Sequence, residues 1–327
     1  MSVQKIAKLA GVSVATVSRV LNHLDTVKPA NKEKVLAAIK ALNYQPNLLA
    51  RQLRTAKTGM LLVMVSNIAN PFCAAVVKSI EKEAERHGYR ILLCNTESDI
   101  SRSRSCLQLL SGKMVDGVIT MDAISELPEL QEIIGNFPWV QCAEYDPIST
   151  VSSVSIDDIA ATEFVIDHLV QSGKQRIALI NHDLTYQYAQ HREQGYVSRL
   201  AHHQLAYRQI AYAQNLDFIA GKQAALALLQ SAVKPDAIFA ISDVLAAGAI
   251  HAVTELGFRI PQDIAIVGFD GVELSQVTVP ALTTIQQPFQ QIGEKAVSIL
   301  LEQIEQSTSS VPIHHLLDWQ FIPRHSS

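Results

Sequence analysis

Residues 3–22, VQKIAKLAGVSVATVSRVLN, contain two short apolar patterns that are separated by a glycine. The first pattern predicts a helix that ends at Gly11, a residue suited to the left-handed turn that terminates helices. The second predicts a helix that begins after Ser13, a good N-cap, and that turns Val17 and Val20 inward. Two helices joined by a turn of about four residues form a helix-turn-helix.

Apolar spacing also predicts how this small unit packs. The first helix is expected to bury Ile6, Leu9 and Ala10. A third helix is expected to begin at Pro29, because proline suits the first helical position. Its predicted core residues are Val35, Leu36, Ile39 and Leu42. The alternative to a DNA-binding unit is a three-helix packing module with no nucleic-acid partner.

The outward side chains of the second helix are small, hydroxyl-bearing or basic, which suits a helix in the major groove. Arg19 can pair with a guanine or a phosphate, and Asn22 can bind an adenine edge. Hydroxyl groups bind phosphates or bases. The sequence therefore predicts DNA contacts from Ala15, Thr16, Ser18, Arg19 and Asn22.

Charge is divided unevenly along the chain. Residues 1–57 hold ten basic and two acidic side chains, a net charge of +8, whereas the whole chain carries −4 and the remainder therefore −12. Neutralisation of phosphates by Lys and Arg supplies most non-specific DNA affinity. A basic head on an acidic body is typical of a DNA-binding module joined to a domain with a different ligand.

The sequence from Ile6 to Asn22, followed by LNYQPN at 42–47, resembles the headpiece of the lactose-repressor (LacI/GalR) family of bacterial transcription regulators. The resemblance implies that Val14 and Ala15, the first residues of the recognition helix, help to choose the operator. One departure is Lys28, which stands where the family commonly has a Ser or Thr N-cap.

The next segment, PNLLARQLR at 46–54, resembles the family's hinge helix. So short a helix is marginal alone in water, so it should form only when something packs against it. The resemblance implies that Leu53 is an apolar wedge that opens a base step in the minor groove. A solvent-exposed linker leucine is the alternative. The predicted boundaries are 1–46 for the headpiece and 47–58 for the hinge helix and linker.

Beyond residue 59 the pattern alternates between apolar runs and amphipathic helices, which predicts an α/β fold. Eight strands divide into two open parallel sheets with helices on both faces, and ligands bind outside the carboxyl ends of such strands. An interdomain cleft is therefore expected. The predicted strands are 61–65, 90–94, 117–121, 140–142, 176–180, 208–212, 237–241 and 264–268.

This body resembles the periplasmic-binding-protein-like core of the same family, through motifs such as NPF at 70–72, SIDD at 155–158 and VGFD at 267–270. The resemblance implies a core over 59–327 made of two doubly wound parallel-sheet subdomains. The expected N-subdomain comprises about 60–156 and 289–312. The expected C-subdomain comprises about 158–284 and 313–327.

Motifs for other functions are missing from the sequence. It contains no G-x-G-x-x-G, no phosphate-binding loop and no G-x-S-x-G elbow, so no enzymatic activity is expected. The four cysteines show no metal or redox spacing, and we expect neither metal nor cofactor. No apolar run of 18 residues and no signal peptide is present, so a cytoplasmic protein with no membrane partner is expected.

Cleft residues follow from the resemblance and from side-chain chemistry. Arg192 aligns with the family's effector-contacting arginine, whose guanidinium offers bidentate donors, and Asp270 matches its acid. Phe72 follows the first body strand, where an aromatic ring can stack on a flat ligand. The remaining candidates are Gln287, which lies where the chain crosses between the subdomains, Leu216 or Phe218, which would form an apolar wall, and Glu144.

One departure bears on the effector. Sugar- and purine-responsive members commonly have an aspartate at the position of Ala143, which Glu144 follows here. The segment more closely resembles the cytidine-responsive, nucleoside-catabolism repressors of the family. The resemblance thus implies a homodimeric repressor of a pseudo-palindromic operator, with a nucleoside as the favoured effector and a sugar as the alternative. A small-molecule-binding protein without operator binding is the competing class.

Overall fold

The computed structural model of the chain describes residues 3–22, 27–42, 57–122, 128–144, 149–306 and 311–327. The chain forms two compact units, residues 1–57 and residues 58–327. None of the described helices is both long enough and apolar enough to cross a membrane.

The first unit contains the helices α1 (Val3–Ala10), α2 (Val14–Asn22) and α3 (Pro29–Ala41). The chain turns at Gly11, whose φ of +64° lies in the left-handed region that glycine adopts at no steric cost. Ser13 caps α2, because its Oγ accepts a hydrogen bond from Thr16 N over 3.1 Å. The buried core consists of Ile6, Ala7, Ala10, Val17, Val20, Val35 and Ala38.

The prediction that two leucines are buried in the core of this unit is wrong. Leu9 and Leu36 are 56% and 44% exposed. Each residue of a helix is rotated by about 100° from the one before it, and the small residues Ala7 and Ala38 complete the buried faces instead. Both leucines therefore project beside the core and not into it.

The second unit contains two lobes, each built on a six-stranded sheet. In the first sheet the strand order is β11-β5-β4-β3-β1-β2, and all described pairings are parallel. The helices of the first lobe are α4 (Pro71–Arg86), α5 (Ile100–Ser111), α6 (Pro128–Ile134) and α12 (Phe289–Gln306). Its strands are β1 (Met60–Val65), β2 (Arg90–Asn95), β3 (Gly117–Met121), β4 (Trp139–Cys142), β5 (Ser152–Ile156) and β11 (His314–Leu317).

The second sheet has the order β12-β10-β9-β8-β6-β7, in which β12 is antiparallel to β10 and the other described pairs are parallel. Its strands are β6 (Ile177–Asn181), β7 (Gln209–Tyr212), β8 (Ala237–Ala240), β9 (Ala265–Asp270), β10 (Thr283–Gln286) and β12 (Gln320–Ile322). The helices of the second lobe are α7 (Asp158–Gln171), α8 (Gln187–His202), α9 (Phe218–Leu229), α10 (Asp243–Glu255) and α11 (Leu274–Val277).

The predicted α/β class with two parallel-sheet lobes is confirmed. Central strands such as β1 and β9 are buried along nearly their whole length, as expected where helices cover both faces of a sheet. All eight predicted strands are present. Among the described residues, four further strands, β5, β10, β11 and β12, lie outside the predicted strand segments.

The C-terminal segment differs from its expected assignment. The prediction placed all of 313–327 in the second lobe, but β11 belongs to the first sheet, where it pairs in parallel with β5. Only after β11 does the chain pass to the second lobe, where β12 pairs with β10. The reason is the open edge of β5, whose hydrogen-bonding groups β11 satisfies.

Candidate functional site

A cavity of about 830 Å³ lies between the two lobes of the second unit. Its walls come from the carboxyl ends of strands in both sheets, the usual ligand position in open α/β folds. Asp122 follows β3 and Glu144 follows β4 in the first lobe. His182 follows β6 and Asp270 ends β9 in the second lobe.

Arg192 projects from α8 and is held on several sides. Its Nε–H donates to Asp158 Oδ1 over 2.7 Å, and its Nη1 donates to the Ile241 carbonyl over 2.6 Å. Its guanidinium carbon lies 3.6 Å from the centroid of the Phe269 ring. Burial raises the pKa of Asp158, and the charge of Arg192 opposes this shift. The arginine is thus a fixed, buried cation at the cavity wall.

Asp270 and Gln287 form a second polar group beside Arg192. Gln287 donates from Nε2 to Asp270 Oδ1 over 2.8 Å, and its backbone N–H donates to the Asp270 carbonyl over 2.9 Å. The backbone of Asp270 has a φ of +108°, a region that side chains with a Cβ rarely adopt. Burial raises the pKa of Asp270 to about 7, against the charge of Arg192, whose Nη1 lies 4.0 Å away.

Glu144 links the first lobe to the second. It is 3% exposed, and its Oε2 accepts a hydrogen bond from the backbone N–H of Gln187, the first residue of α8, over 2.9 Å. Helix N-termini favour negative charge, but here burial dominates and raises the pKa of Glu144 to about 8. The carboxyl of Glu144 is therefore expected to change its protonation state near pH 8.

Tyr186 makes another contact across the cavity. Its hydroxyl lies 2.6 Å from Ser98 Oγ and donates to Asp122 Oδ1 over 3.3 Å. Thr96 also donates a hydrogen bond to Asp122. Burial raises the pKa of the Tyr186 hydroxyl, with the Asp122 carboxylate adding to the shift. Since Tyr186 precedes α8 and its partners belong to the first lobe, this group bridges the lobes.

The apolar walls only partly match the prediction. Phe72 lines the cavity and packs edge-on against Phe289 at a centroid distance of 5.7 Å, and Leu216 also lines it. Phe218 does not line it, so this assignment is wrong. Asp217 caps α9 by accepting a hydrogen bond from Ala220 N over 2.7 Å, and Phe218 enters the helix and packs against His251.

Six of the seven predicted effector residues therefore line one cavity. Sequence reasoning did not single out Asp122, His182, Tyr186 and Tyr188, which also line the cavity, or Asp158, which binds Arg192 from behind the cavity wall. Asp122 and His182 directly follow strands, so the strand-end rule could have identified them. The tyrosines gave no sequence signal, because they reach the cavity from the loop and helix that follow β6. Among the described residues, no group of three or more acidic, His or Cys side chains could hold a metal.

Most predicted DNA-contacting side chains of α2 are accessible. Val14, Ala15 and Arg19 are exposed, while Thr16 and Ser18 are half-buried. The hydroxyl of Thr16 lies 2.9 Å from Ser13 Oγ at the helix N-terminus. The side chain of Asn22 and the whole of Leu53 lie outside the described residues. The accessible face is opposite the side that carries Val17 and Val20 into the core.

Two family models match the chain. Residues 2–47 match the model described as bacterial regulatory proteins, lacI family. Residues 166–327 match the model described as a periplasmic binding protein-like domain. The first match contains the helix-turn-helix, and the second contains most of the second lobe.

Relatives match over nearly the full length. A ribose operon repressor of Halalkalibacterium halodurans is 37% identical over 304 residues, 93% of this chain and 90% of that protein. The crystal structure of an uncharacterized protein from Actinobacillus succinogenes is 76% identical, with a TM-score of 0.80 over 83% of this chain and 100% of that chain. The lac repressor dimer bound to operator and the anti-inducer ONPF has a TM-score of 0.89 at 27% identity, over 100% of this chain and 98% of that chain.

Proposed function

Because the chain belongs to the lacI family of bacterial regulatory proteins and is a DNA-binding transcriptional regulator, we propose that its effector is a nucleoside bound between the lobes. The observation that carries this proposal is the pairing of two unlike surfaces in one cavity. One surface is a hydrogen-bonding group of Arg192, Asp270 and Gln287, and the other is an aromatic wall. A nucleoside presents the complement of both, a ribose and a flat base.

The polar surface suits vicinal hydroxyls. The carboxylate of Asp270 accepts from a hydroxyl, and the guanidinium of Arg192 donates to one. Gln287 already orients Asp270 over 2.8 Å, so this acid needs little reordering when a ligand binds. We assign the ribose to these three side chains.

The aromatic surface suits the base. Phe72, Tyr186 and Tyr188 line the cavity, and Tyr186 is stacked on His182 with the rings inclined by 25°. A cavity of about 830 Å³ falls in the range of sites that enclose drug-sized ligands. The aromatic surface of the cavity and the volume of the cavity are both larger than a single monosaccharide would fill. These features support the proposal of a nucleoside effector, as in the cytidine-responsive repressors of the family that the sequence resembles.

A sugar is the second candidate, and a specific finding favours it. The 37% identical relative is named a ribose operon repressor, and the polar surface described above is the part of the cavity that a free pentose would occupy. The two candidates differ only in whether the aromatic wall contributes affinity.

We assign recognition of the operator sequence to α2. The residues that we expect to contact DNA are Val14, Ala15, Thr16, Ser18, Arg19 and Asn22. Leu53 is assigned the minor-groove wedge, within a hinge over 47–58 that joins a headpiece over 1–46 to a core over 59–327. A homodimer on a pseudo-palindromic operator fits these parts, since protein two-fold symmetry and operator symmetry match. The lac repressor structure with a TM-score of 0.89 is a dimer bound to operator.

A ligand that contacts both lobes favours the arrangement in which both sets of contacts are made. Operator affinity then depends on ligand, and by linkage ligand affinity depends on operator by the same factor. Arg192, Asp270 and Gln287 supply the contacts of the second lobe, and Phe72 and Glu144 supply those of the first.

Calorimetry of the full chain with cytidine, adenosine, ribose and a disaccharide panel tests the effector class. We expect a nucleoside to bind more tightly than ribose, because only the nucleoside contacts the aromatic wall. Thermal unfolding provides an independent measure, since a ligand at about 100 times its Kd adds about 2.7 kcal/mol of stability. Binding of a sugar with no nucleoside heat at millimolar concentration would assign the sugar class instead.

A further inference from the structure

The cavity contains more buried acid than base. Asp122, Glu144 and Asp270 line it, and each is at most 5% exposed. Among the described lining residues, Arg192 is the only lysine or arginine. Buried charges are normally paired, so this imbalance indicates that the ligand supplies the missing hydrogen-bond donors or positive charge.

The charge of Arg192 does not correct the imbalance, because it already has a partner. Asp158, behind the cavity wall, binds its Nε over 2.7 Å, and the Ile241 carbonyl accepts from Nη1 over 2.6 Å. Asp270 is 4.0 Å from Nη1 and is also bound by Gln287. Among the described residues, Glu144 has neither a cation nor a side-chain amide as a hydrogen-bond partner.

Glu144 offers a free acceptor to the cavity. The backbone N–H of Gln187 occupies Oε2 over 2.9 Å, which leaves Oε1 for a ligand. The titratable groups that face Glu144 from neighbouring elements are Asp122, Asp158, Tyr186, Tyr188 and Arg192. Four of these five groups are acids or phenols, and the fifth, Arg192, is already bound to Asp158 and to the Ile241 carbonyl. The surroundings of Glu144 therefore favour a hydrogen-bond donor that a ligand supplies.

We propose that Glu144 is the specificity-determining residue of the cavity and selects effectors that present an amino group over the same molecules with an oxo or hydroxyl group there. This inference rests on the proposed function, because it assigns a role within the cavity to which we assign the effector. The amino group belongs to a nucleobase or to a sugar. Both present N–H donors, which a carboxylate accepts in a strong, charge-assisted hydrogen bond.

The protonation of Glu144 makes the selectivity depend on pH. Its pKa is raised to about 8 by burial. Below this value the carboxyl is protonated and can donate to an oxo group as well as accept from an amine. Above it the carboxylate only accepts, and it repels an oxo group. The preference for the amine should therefore grow as the pH rises through about 8.

The test compares matched ligands by calorimetry on the full chain, at about pH 6.5 and about pH 8.5, on either side of the pKa of Glu144. The pairs are cytidine with uridine and glucosamine with glucose, which separate the nucleobase source from the sugar source. For a nucleobase amino group, we expect cytidine to bind about tenfold more tightly than uridine at the higher pH, with a smaller ratio at the lower pH. The amine of glucosamine itself loses its proton between these pH values, so for a sugar amino group we expect only that glucosamine binds more tightly than glucose.

Two variants assign the effect to one residue. Glu144→Gln keeps the size of the side chain and removes its charge, so it should bind both members of the pair equally at both pH values. Glu129→Gln is the matched control: Glu129 lies outside the residues that line the cavity, and its side chain is 49% exposed and paired with Arg104. This variant should keep the tenfold preference and its pH dependence.

Several outcomes would overturn the inference. Equal binding of cytidine and uridine by the parent chain, with no preference for glucosamine over glucose, would leave the proposed nucleoside function standing and remove the role of Glu144. An unchanged preference in Glu144→Gln, or its loss of both ligands alike, would show that Glu144 does not discriminate. If no member of either pair binds at millimolar concentration, the inference and the proposed effector class fail together.

Discussion

The Nε of Arg192 lies 2.7 Å from Oδ1 of Asp158, and the two side chains are 6% and 2% exposed. The guanidinium is also bound by the Ile241 carbonyl and covered by the Phe269 ring. These contacts fix the cation before any ligand arrives, so ligand binding does not have to order a flexible side chain. The pair thus contributes both to the stability of the second lobe and to the shape of the cavity.

Removal of Arg192 should destabilise the protein as well as the site. Arg192→Ala leaves Asp158 buried without its cation, which should lower the free energy of unfolding by about 3–5 kcal/mol. The double variant Asp158→Asn/Arg192→Ala lacks that unpaired carboxylate and should recover part of the loss. Urea denaturation measures both effects. Arg259→Ala, which breaks an exposed pair with Asp263, is the control and should leave the unfolding midpoint unchanged. Additive losses in the double variant would contradict the pairing.

Stability of the ligand-free protein should fall as the pH rises from about 5 to about 8. Burial raises the pKa of Glu144 to about 8 and that of Asp270 to about 7, so the folded state binds more protons than the unfolded state in this range. Each group then lowers the free energy of unfolding by at most about 1.4 kcal/mol per pH unit, and the loss ends above the folded pKa. Denaturation at several pH values measures the slope, which Glu144→Gln should reduce. A free energy of unfolding that rises between about pH 5 and about pH 8 would refute this prediction.

The contact between α9 and α10 depends on Gly221. A Cβ at this position would lie 2.7 Å from the Leu245 Cα, and backbone atoms cannot move aside easily. Gly221→Ala should therefore cost about 1–3 kcal/mol. Gly112→Ala, where the nearest atom is 3.4 Å away, should change stability by less than about 0.5 kcal/mol. Equal stability of the two variants would show that the helices can separate freely.

Arg19 should contribute to operator affinity. It is exposed on α2, and Arg19→Ala should weaken specific binding by about 1–3 kcal/mol if the side chain contacts a base. Lys40→Ala removes a similar charge from the end of α3 and is the control, with a smaller loss that is alike on specific and non-specific DNA. Gel-shift titrations compare the two. Unchanged affinity of Arg19→Ala would remove Arg19 from the interface.

Sequence patterns predicted the central strands because those strands are continuous apolar runs, such as MLLVMV in β1 and AIVGFD in β9. They missed β11 and β12, which are four and three residues long and only partly buried. Such strands exist because the edge of a sheet lies beside them, and no local pattern records that neighbour. The same reason explains why the division of the C-terminal segment between the lobes was wrong.

The site was predictable where a residue stands at a strand end or aligns with a family motif, as do Asp270 and Arg192. It was not predictable where a contact joins the two lobes. The hydrogen bond from Gln187 N to Glu144 connects residues that are 43 positions apart and depends on how the lobes face each other. Phe218 was misassigned because its direction is set by the Asp217 cap of α9, which apolar spacing does not reveal.

A nucleoside in the cavity should change the affinity of the protein for its operator. The most direct measurement is the Kd of the full chain for an operator, selected from a random DNA pool, with and without saturating cytidine or adenosine. The reciprocal measurement is the Kd for that nucleoside with and without operator. We predict that the two ratios differ from one and are equal, as linkage requires. An operator Kd that does not change at saturating nucleoside would show that the cavity does not control operator binding through a nucleoside.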